Sequence, residues 1–185
     1  MDRISRKFEE LREKNQKALI PYIMGGYPSY ESCKKIVEVM ALTGADIIEI
    51  GIPFSDPLAD GPTIQRASQI ALAQNVTTQD IFNLVRDLRK TIDIPIILMA
   101  YYNLFYKYGL EKFANGALEA GVDGVIIPDL PPEEASDWLN IAENKLKTIF
   151  LIAPTSTDER IEKIASLSEG FIYCVSLTGV TGERR

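Results

Sequence analysis

Apolar residues along this 185-residue chain follow two periods that alternate with each other. Ile4, Phe8 and Leu11 recur at helical spacing among charged residues, so residues 3–14 are expected to form an amphipathic helix that closes one end of the fold. Short runs rich in β-branched residues then mark six strands, over residues 18–24, 47–50, 94–100, 124–127, 148–153 and 171–176. Between them lie helical patterns near residues 30–42, 63–74, 78–90 and 110–120, one starting at Glu133 and Glu134, and one carrying Ile161, Ile164 and Leu167. Thr77 and Asp80 resemble a capping box for the helix at 78. The segments TGADIIEI, AGVDGVII and SEGFIYCV repeat one loop-to-strand unit. Apolar strands that alternate with helices in this way predict an α/β fold with a parallel sheet and right-handed crossovers.

Two architectures fit the pattern. An open doubly wound sheet is complete at this length, whereas a (β/α)8 TIM barrel takes about 250 residues. Polar and aromatic residues gather just past strand ends, at Glu49, Tyr101, Asn103, Asp129, Tyr173 and Thr178, and no GxGxxG follows the first strand. Sites built from several C-terminal strand ends favour the barrel. The chain is therefore read as one domain, residues 1–185, covering about the first six βα units and stopping before the last two.

One strand breaks the apolar rule. Glu49 stands among Ile47, Ile48 and Ile50, one residue before Gly51. An ionised carboxylate there loses several kcal/mol of hydration unless it is paired or protonated. Either state is usable by an acid or base working near neutral pH. Three prolines and a glycine then force a loop from Pro53 to Pro62, ending in a second carboxylate, Asp60, where the next helix begins. Structural roles are the competing reading: Glu49 as an ion-pair partner and Asp60 as a helix cap. Tyr22, Tyr101 and Tyr173 are equally readable as core aromatics, and Asn103 and Asp129 as turn formers.

Composition narrows the chemistry. The chain is 46% hydrophobic and 25% charged with a net charge of −6, which lacks the basic footprint of a nucleic-acid or anionic-membrane partner. An anionic substrate must then be held locally, by helix N-termini or glycine-rich backbone. Histidine is absent, which excludes Ser-His-Asp and Cys-His machinery and removes the commonest nitrogen ligand for zinc. Cys33 and Cys174 read as buried thiols, with no disulfide between them. No apolar run is long enough for a signal segment or a membrane span, so a cytoplasmic protein is expected. Lysines lie in polar surroundings, apart from Lys147 at a strand edge, so acid and base roles fall to carboxylates and tyrosines.

The segment EIGIPFSDPLADGPTIQ, residues 49–65, resembles the signature of the tryptophan synthase alpha subunit family. The likeness extends through IPYIMGGYP, ILMAYYN, GVIIPDLPPEE, IFLIAPTS and TGVTGE. It implies a TIM barrel and a lyase that cleaves indole-3-glycerol phosphate to indole and glyceraldehyde 3-phosphate in tryptophan biosynthesis. By the same resemblance Glu49 and Asp60 are catalytic, and Tyr22, Tyr101, Ile126, Tyr173, Thr181 and Gly182 bind substrate. Thr181 would meet the second carboxylate and Gly182 the phosphate. Pro53, Phe54, Asp56 and Asn103 would face a beta subunit in an alpha2-beta2 assembly. No metal or organic cofactor is implied on this chain; pyridoxal phosphate belongs to the beta partner. The glycine-rich phosphate turns expected after strands seven and eight are not in this sequence. Two other readings stand beside this one: another phosphate-binding barrel lyase or isomerase, and a catalytically silent subunit that docks on and activates a beta-type partner.

Overall fold

The strand-forming runs pair in chain order. In the computed structural model, which describes residues 1–176, β1 (Tyr22–Met24), β2 (Ile48–Gly51), β3 (Ile96–Met99), β4 (Gly124–Ile126) and β5 (Lys147–Ile149) make one parallel sheet ordered β1-β2-β3-β4-β5. Register sets Tyr22 beside Glu49, Glu49 beside Ile97, and Ile97 beside Gly124. A second parallel pair joins β6 (Leu151–Ile152) to β7 (Tyr173–Cys174). β5 and β6 are successive halves of the one strand expected at 148–153, with the ladder interrupted at Phe150. The Thr148, Phe150 and Ile152 carbonyls accept from the N–H groups of Glu169, Tyr173 and Val175, while β5 stays paired with β4.

Alternation along the strands separates two apolar layers. Ile48, Ile50, Ile96, Leu98 and Val125 join the main core with α2 (Tyr30–Leu42), α4 (Thr78–Leu88), α6 (Leu110–Ala120) and α7 (Ser136–Ala142). Ile47, Ile97, Ile126 and Ile149 point to the other, inner face and pack with Ile4 and Phe8 of α1 (Arg3–Glu13). Strands covered on both faces have no solvated side, which is why their sequences are apolar throughout. In α4 the fully buried Ile81, Leu84, Val85 and Leu88 contribute about 1.5–3 kcal/mol each, and the Thr77–Asp80 capping box opens the helix as expected.

α1 closes the N-terminal end of the strands, and charge fixes its placement. Asp46, Asp93 and Asp123 each lie shortly before a strand. Lys7 pairs with Asp46, Arg3 with both Asp93 and Asp123, and Arg6 with Asp93. Asp123 also receives the Arg89 guanidinium, which donates in turn to the Gly121, Ile92 and Ile94 carbonyls.

Three local expectations are corrected. Residues 102–108, read as a strand end and loop, form α5 (Tyr102–Tyr108); its first N–H is accepted by the Asp129 carboxylate, 2.8 Å away and 27 residues on. The helix expected from Glu133 is a 3-10 turn at Pro132–Glu134, and α7 begins only at Ser136. Cys33 is buried, but Cys174 is exposed, because alternate residues of the two-residue β7 face opposite ways and no described element covers its side. Lys147, the one lysine at a strand edge, agrees with the expectation that no desolvated amine is present: it pairs with Glu169 at 2.9 Å, which raises its pKa. The connections are α3 (Pro62–Ala73) between β2 and α4, and α8 (Asp158–Leu167) between β6 and β7.

Candidate active site

Along β2 the side-chain period of two sends Ile47, Glu49 and the glycine at 51 to the inner face, and Ile48 and Ile50 to the helices. Glu49 is thus carried into an apolar layer by the same alternation that buries its neighbours. It is 5% exposed, and among the described residues no hydrogen bond or ion pair reaches its carboxyl. Burial alone pushes its pKa up to about 7. Among the described residues nothing supports the ion-pair reading of this residue. A carboxyl that is half-protonated near neutrality can both give and take a proton.

Asp60 arrives by a different route. The loop from Ile52 to Gly61 turns away from β2 and returns to α3, whose Pro62 sits in the first turn as its sequence suggested. Gly61, not Asp60, occupies the N-cap, and no side chain caps this helix. Asp60 is half-buried instead, and burial raises its pKa while the Tyr101 phenol opposes the rise. Gln65 donates to its carbonyl at 2.9 Å.

Three tyrosines complete the group. Tyr22, the register partner of Glu49, has a phenol whose pKa is driven far up by burial, then by the charges of Asp60 and Glu49. Tyr173 on β7 is raised by burial and by Glu49. Tyr101, at the end of β3, is raised to about 12 by burial, and its oxygen accepts the Ala59 N–H at 2.9 Å. Each phenol responds to at least one of the two carboxylates, so both acids and all three rings share one end of the sheet. Ile126, buried on the inner face of β4, belongs to the same layer as Ile97 and Ile149. Thr181 and Gly182 lie outside the described residues.

The four residues expected to face a partner divide into two sets. Asp56 and Asn103 are exposed. Pro53 is buried, and Phe54 is half-buried with its ring stacked on Tyr101 at a centroid distance of 5.2 Å. Phe54, which the resemblance places toward a partner, here packs on another ring. Asp129 is a turn organiser, through its bond to α5.

Sequence reading missed Ser68, a 1% exposed residue of α3 whose hydroxyl bonds Phe54, and Gln65 beneath Asp60. The available signal was a small polar residue on a helix face otherwise lined by Ile64, Ala67 and Ala71. A cleft of about 590 Å³ opens at the opposite end of the strands, lined by Arg3, Arg6, Asp93, Asp123, Lys147 and Glu169. Its charges are committed to ion pairs that hold α1 and the strand starts, which is a stabilising arrangement.

Comparison with known proteins agrees with this geometry. The family model described as "Tryptophan synthase alpha chain" matches residues 8–185. The tryptophan synthase alpha chain of Clostridium acetobutylicum is 52% identical over 184 residues, covering 99% of this chain and 70% of the relative. That of Pelobacter propionicus is 48% identical over 186 residues, covering 100% and 70%. The crystal structure of tryptophan synthase subunit alpha from Legionella pneumophila superposes with a TM-score of 0.92 at 43% identity, over 95% of this chain and 68% of that one. A chain of Mycobacterium tuberculosis tryptophan synthase gives 0.93 at 39% identity, over 100% and 72%. The sheet described above is accordingly the larger part of a (β/α) barrel, and the chain spans about 70% of the length of these relatives. With its inner-face carboxyl and returning loop acid set on that barrel, the chain belongs to the tryptophan synthase alpha chain family.

Proposed function

We propose that Glu49 and Asp60 carry out the family's lyase reaction, the retro-aldol cleavage of indole-3-glycerol phosphate to indole and glyceraldehyde 3-phosphate. The carrying observation is Glu49: a carboxyl without a partner among the described residues, 5% exposed, with a pKa of about 7. Cleavage needs a proton delivered to indole C3, which places positive charge on the indole nitrogen. It then needs a proton taken from the glycerol hydroxyl beside the ring. As the carbon–carbon bond breaks, its electron pair returns to the indole ring and an aldehyde forms. Glu49, poised between its two states, suits the proton work. Asp60, less buried and held nearer ionised by the Tyr101 phenol, suits an anion facing the indole N–H. Two carboxyls in unequal environments can divide these tasks.

Tyr22, Tyr101, Tyr173 and Ile126 supply apolar surface for a flat aromatic ring, and Thr181 and Gly182 are assigned to the loop acid and the phosphate. The reaction needs no metal or organic cofactor on this chain. Asp56 and Asn103, the exposed pair of the partner-facing set, are placed against a beta subunit that carries pyridoxal phosphate, in an alpha2-beta2 assembly. The cytoplasm suits a chain whose thiols stay free. Indole release from indole-3-glycerol phosphate tests the reading. Turnover that disappears in Glu49→Gln supports it, and turnover that survives there overturns it.

A further inference from the structure

Ser68 stands in the middle of α3, where serine forms helix less well than alanine, and it is 1% exposed. A buried serine in a helix commonly bonds back to its own helix carbonyls. Here the hydroxyl instead accepts the Phe54 N–H and donates to the Phe54 carbonyl, both at 2.9 Å. One side chain thereby satisfies both backbone groups of a single loop residue and fixes the orientation of the two peptides that flank it.

The consequence passes along named contacts. Phe54, so held, stacks on Tyr101 with an interplanar angle of 29°. The Tyr101 hydroxyl accepts the N–H of Ala59, the residue before Asp60. Gln65, three residues before Ser68 and so on the same side of α3, donates to the Asp60 carbonyl. These contacts close a circuit from α3 through the loop to the end of β3 and back to α3. Inside the circuit Ser55, Asp56 and Leu58 are exposed, so the loop is fastened near its ends and not along its middle.

We propose that Ser68 is a positioning residue for Asp60, acting through Phe54 and Tyr101 to hold the carboxylate in its working place opposite Glu49. This rests on the reading of Asp60 as a working carboxylate. Without the hydroxyl, the Phe54 N–H and carbonyl turn toward water, the ring leaves Tyr101, and the Ala59 end of the loop loses its register. A misplacement of about 1 Å at a catalytic group lowers turnover by up to about 10²-fold.

The test uses the full-length protein with indole-3-glycerol phosphate, following indole release for kcat and KM together with thermal melting. Ser68→Ala should lower kcat by about tenfold or more with little change in KM. Ser68→Thr, which keeps a hydroxyl, should retain most of the rate. Combining Ser68→Ala with Tyr101→Phe should be no slower than the slower single variant, because both open the same circuit. Wild-type kcat in Ser68→Ala overturns the proposal, and so do losses that multiply in the double variant. Should Ser68→Ala fail to fold, Ser68→Cys, whose thiol is a far weaker hydrogen-bonding group of similar size, decides: a full kcat there overturns the circuit, and a fall in kcat at unchanged melting supports it. Asp60→Asn separates the two levels. Undiminished turnover there removes the Asp60 reading itself, whereas a slow Asp60→Asn beside a fast Ser68→Ala removes only the role of Ser68.

Discussion

The Tyr22 hydroxyl lies over Gly51 so closely that it fills the space a Cβ at residue 51 would take. Tyr22 reaches across from β1 into the inner-face position that the next side chain of β2 would have filled, two residues beyond Glu49. Gly51 is therefore a packing requirement imposed by the site. Gly51→Ala should displace the phenol, destabilise the fold by about 1–3 kcal/mol and raise KM for indole-3-glycerol phosphate. Urea denaturation and steady-state indole release read the two effects separately.

Glu49→Gln should lower turnover by about 10²-fold or more, since an amide of nearly the same shape cannot exchange the proton. Its effect on stability should depend on pH. The folded-state pKa, about 7, lies above the usual 4.5, so between those values the folded state holds a proton that the unfolded state has lost. The native protein therefore loses stability as pH rises from about 4.5 to 7, up to roughly 3 kcal/mol, and no further above that. Melting curves of Glu49→Gln and the native protein should coincide near pH 4 and separate, with the glutamine variant the more stable, at pH 8.

Asp60→Asn should slow the reaction while leaving stability nearly unchanged. Gly61 holds the N-cap of α3 and no side chain caps it, so the roughly 1 kcal/mol that a capping aspartate would contribute is not at stake. A melting shift of several degrees would show that the side chain carries a structural bond after all.

Asp123→Ala should be the most destabilising change at the opposite end of the strands. Its carboxylate, 6% exposed, accepts from Arg3, Arg89 and the Ile96 N–H, so its removal leaves Arg89 without its charge partner. Losing one member of a buried pair costs about 3–5 kcal/mol. Denaturant midpoints measure this, and kcat per folded molecule should stay at the native value because the site lies at the other end.

Charge reversal at the exposed Asp56, or Asn103→Arg, should weaken co-purification with a beta subunit while leaving indole release by the isolated protein intact. Phe54→Ala should weaken both, because its ring is committed to Tyr101. Loss of docking in Phe54→Ala with a full rate would return that ring to the surface.

Much of this protein was legible residue by residue. Periodicity alone located the strands, the covering α1 and most of the other helices, because an element buried on a known face must repeat its apolar residues at its own geometric period. The same logic exposed Glu49, since a carboxylate inside a β-branched run conflicts with its surroundings at once. The capping box at Thr77 and Asp80 and the proline at 62 were readable because they act within one turn of the chain.

What escaped the sequence depends on residues far apart along it. Five of the seven residues of α5 are tyrosines, an asparagine and a phenylalanine, poor local helix formers, and the helix is started by Asp129, 27 residues away. The stacking of Phe54 on Tyr101, 47 positions later, had no local signal either. Asp60 looked like a cap until the loop set Gly61 at that position. Ser68 showed locally only as a polar residue on an apolar helix face; its role stayed hidden because its partners are backbone groups 14 residues earlier, brought to it only when the loop folds back on α3. The sequence by itself determined the elements, the faces they bury and the acid that does not belong there, since those follow from short-range geometry and hydration. Only tertiary structure decided which side chains hold the second acid in place, because a hydrogen bond to a backbone group leaves no pattern in the residue that receives it.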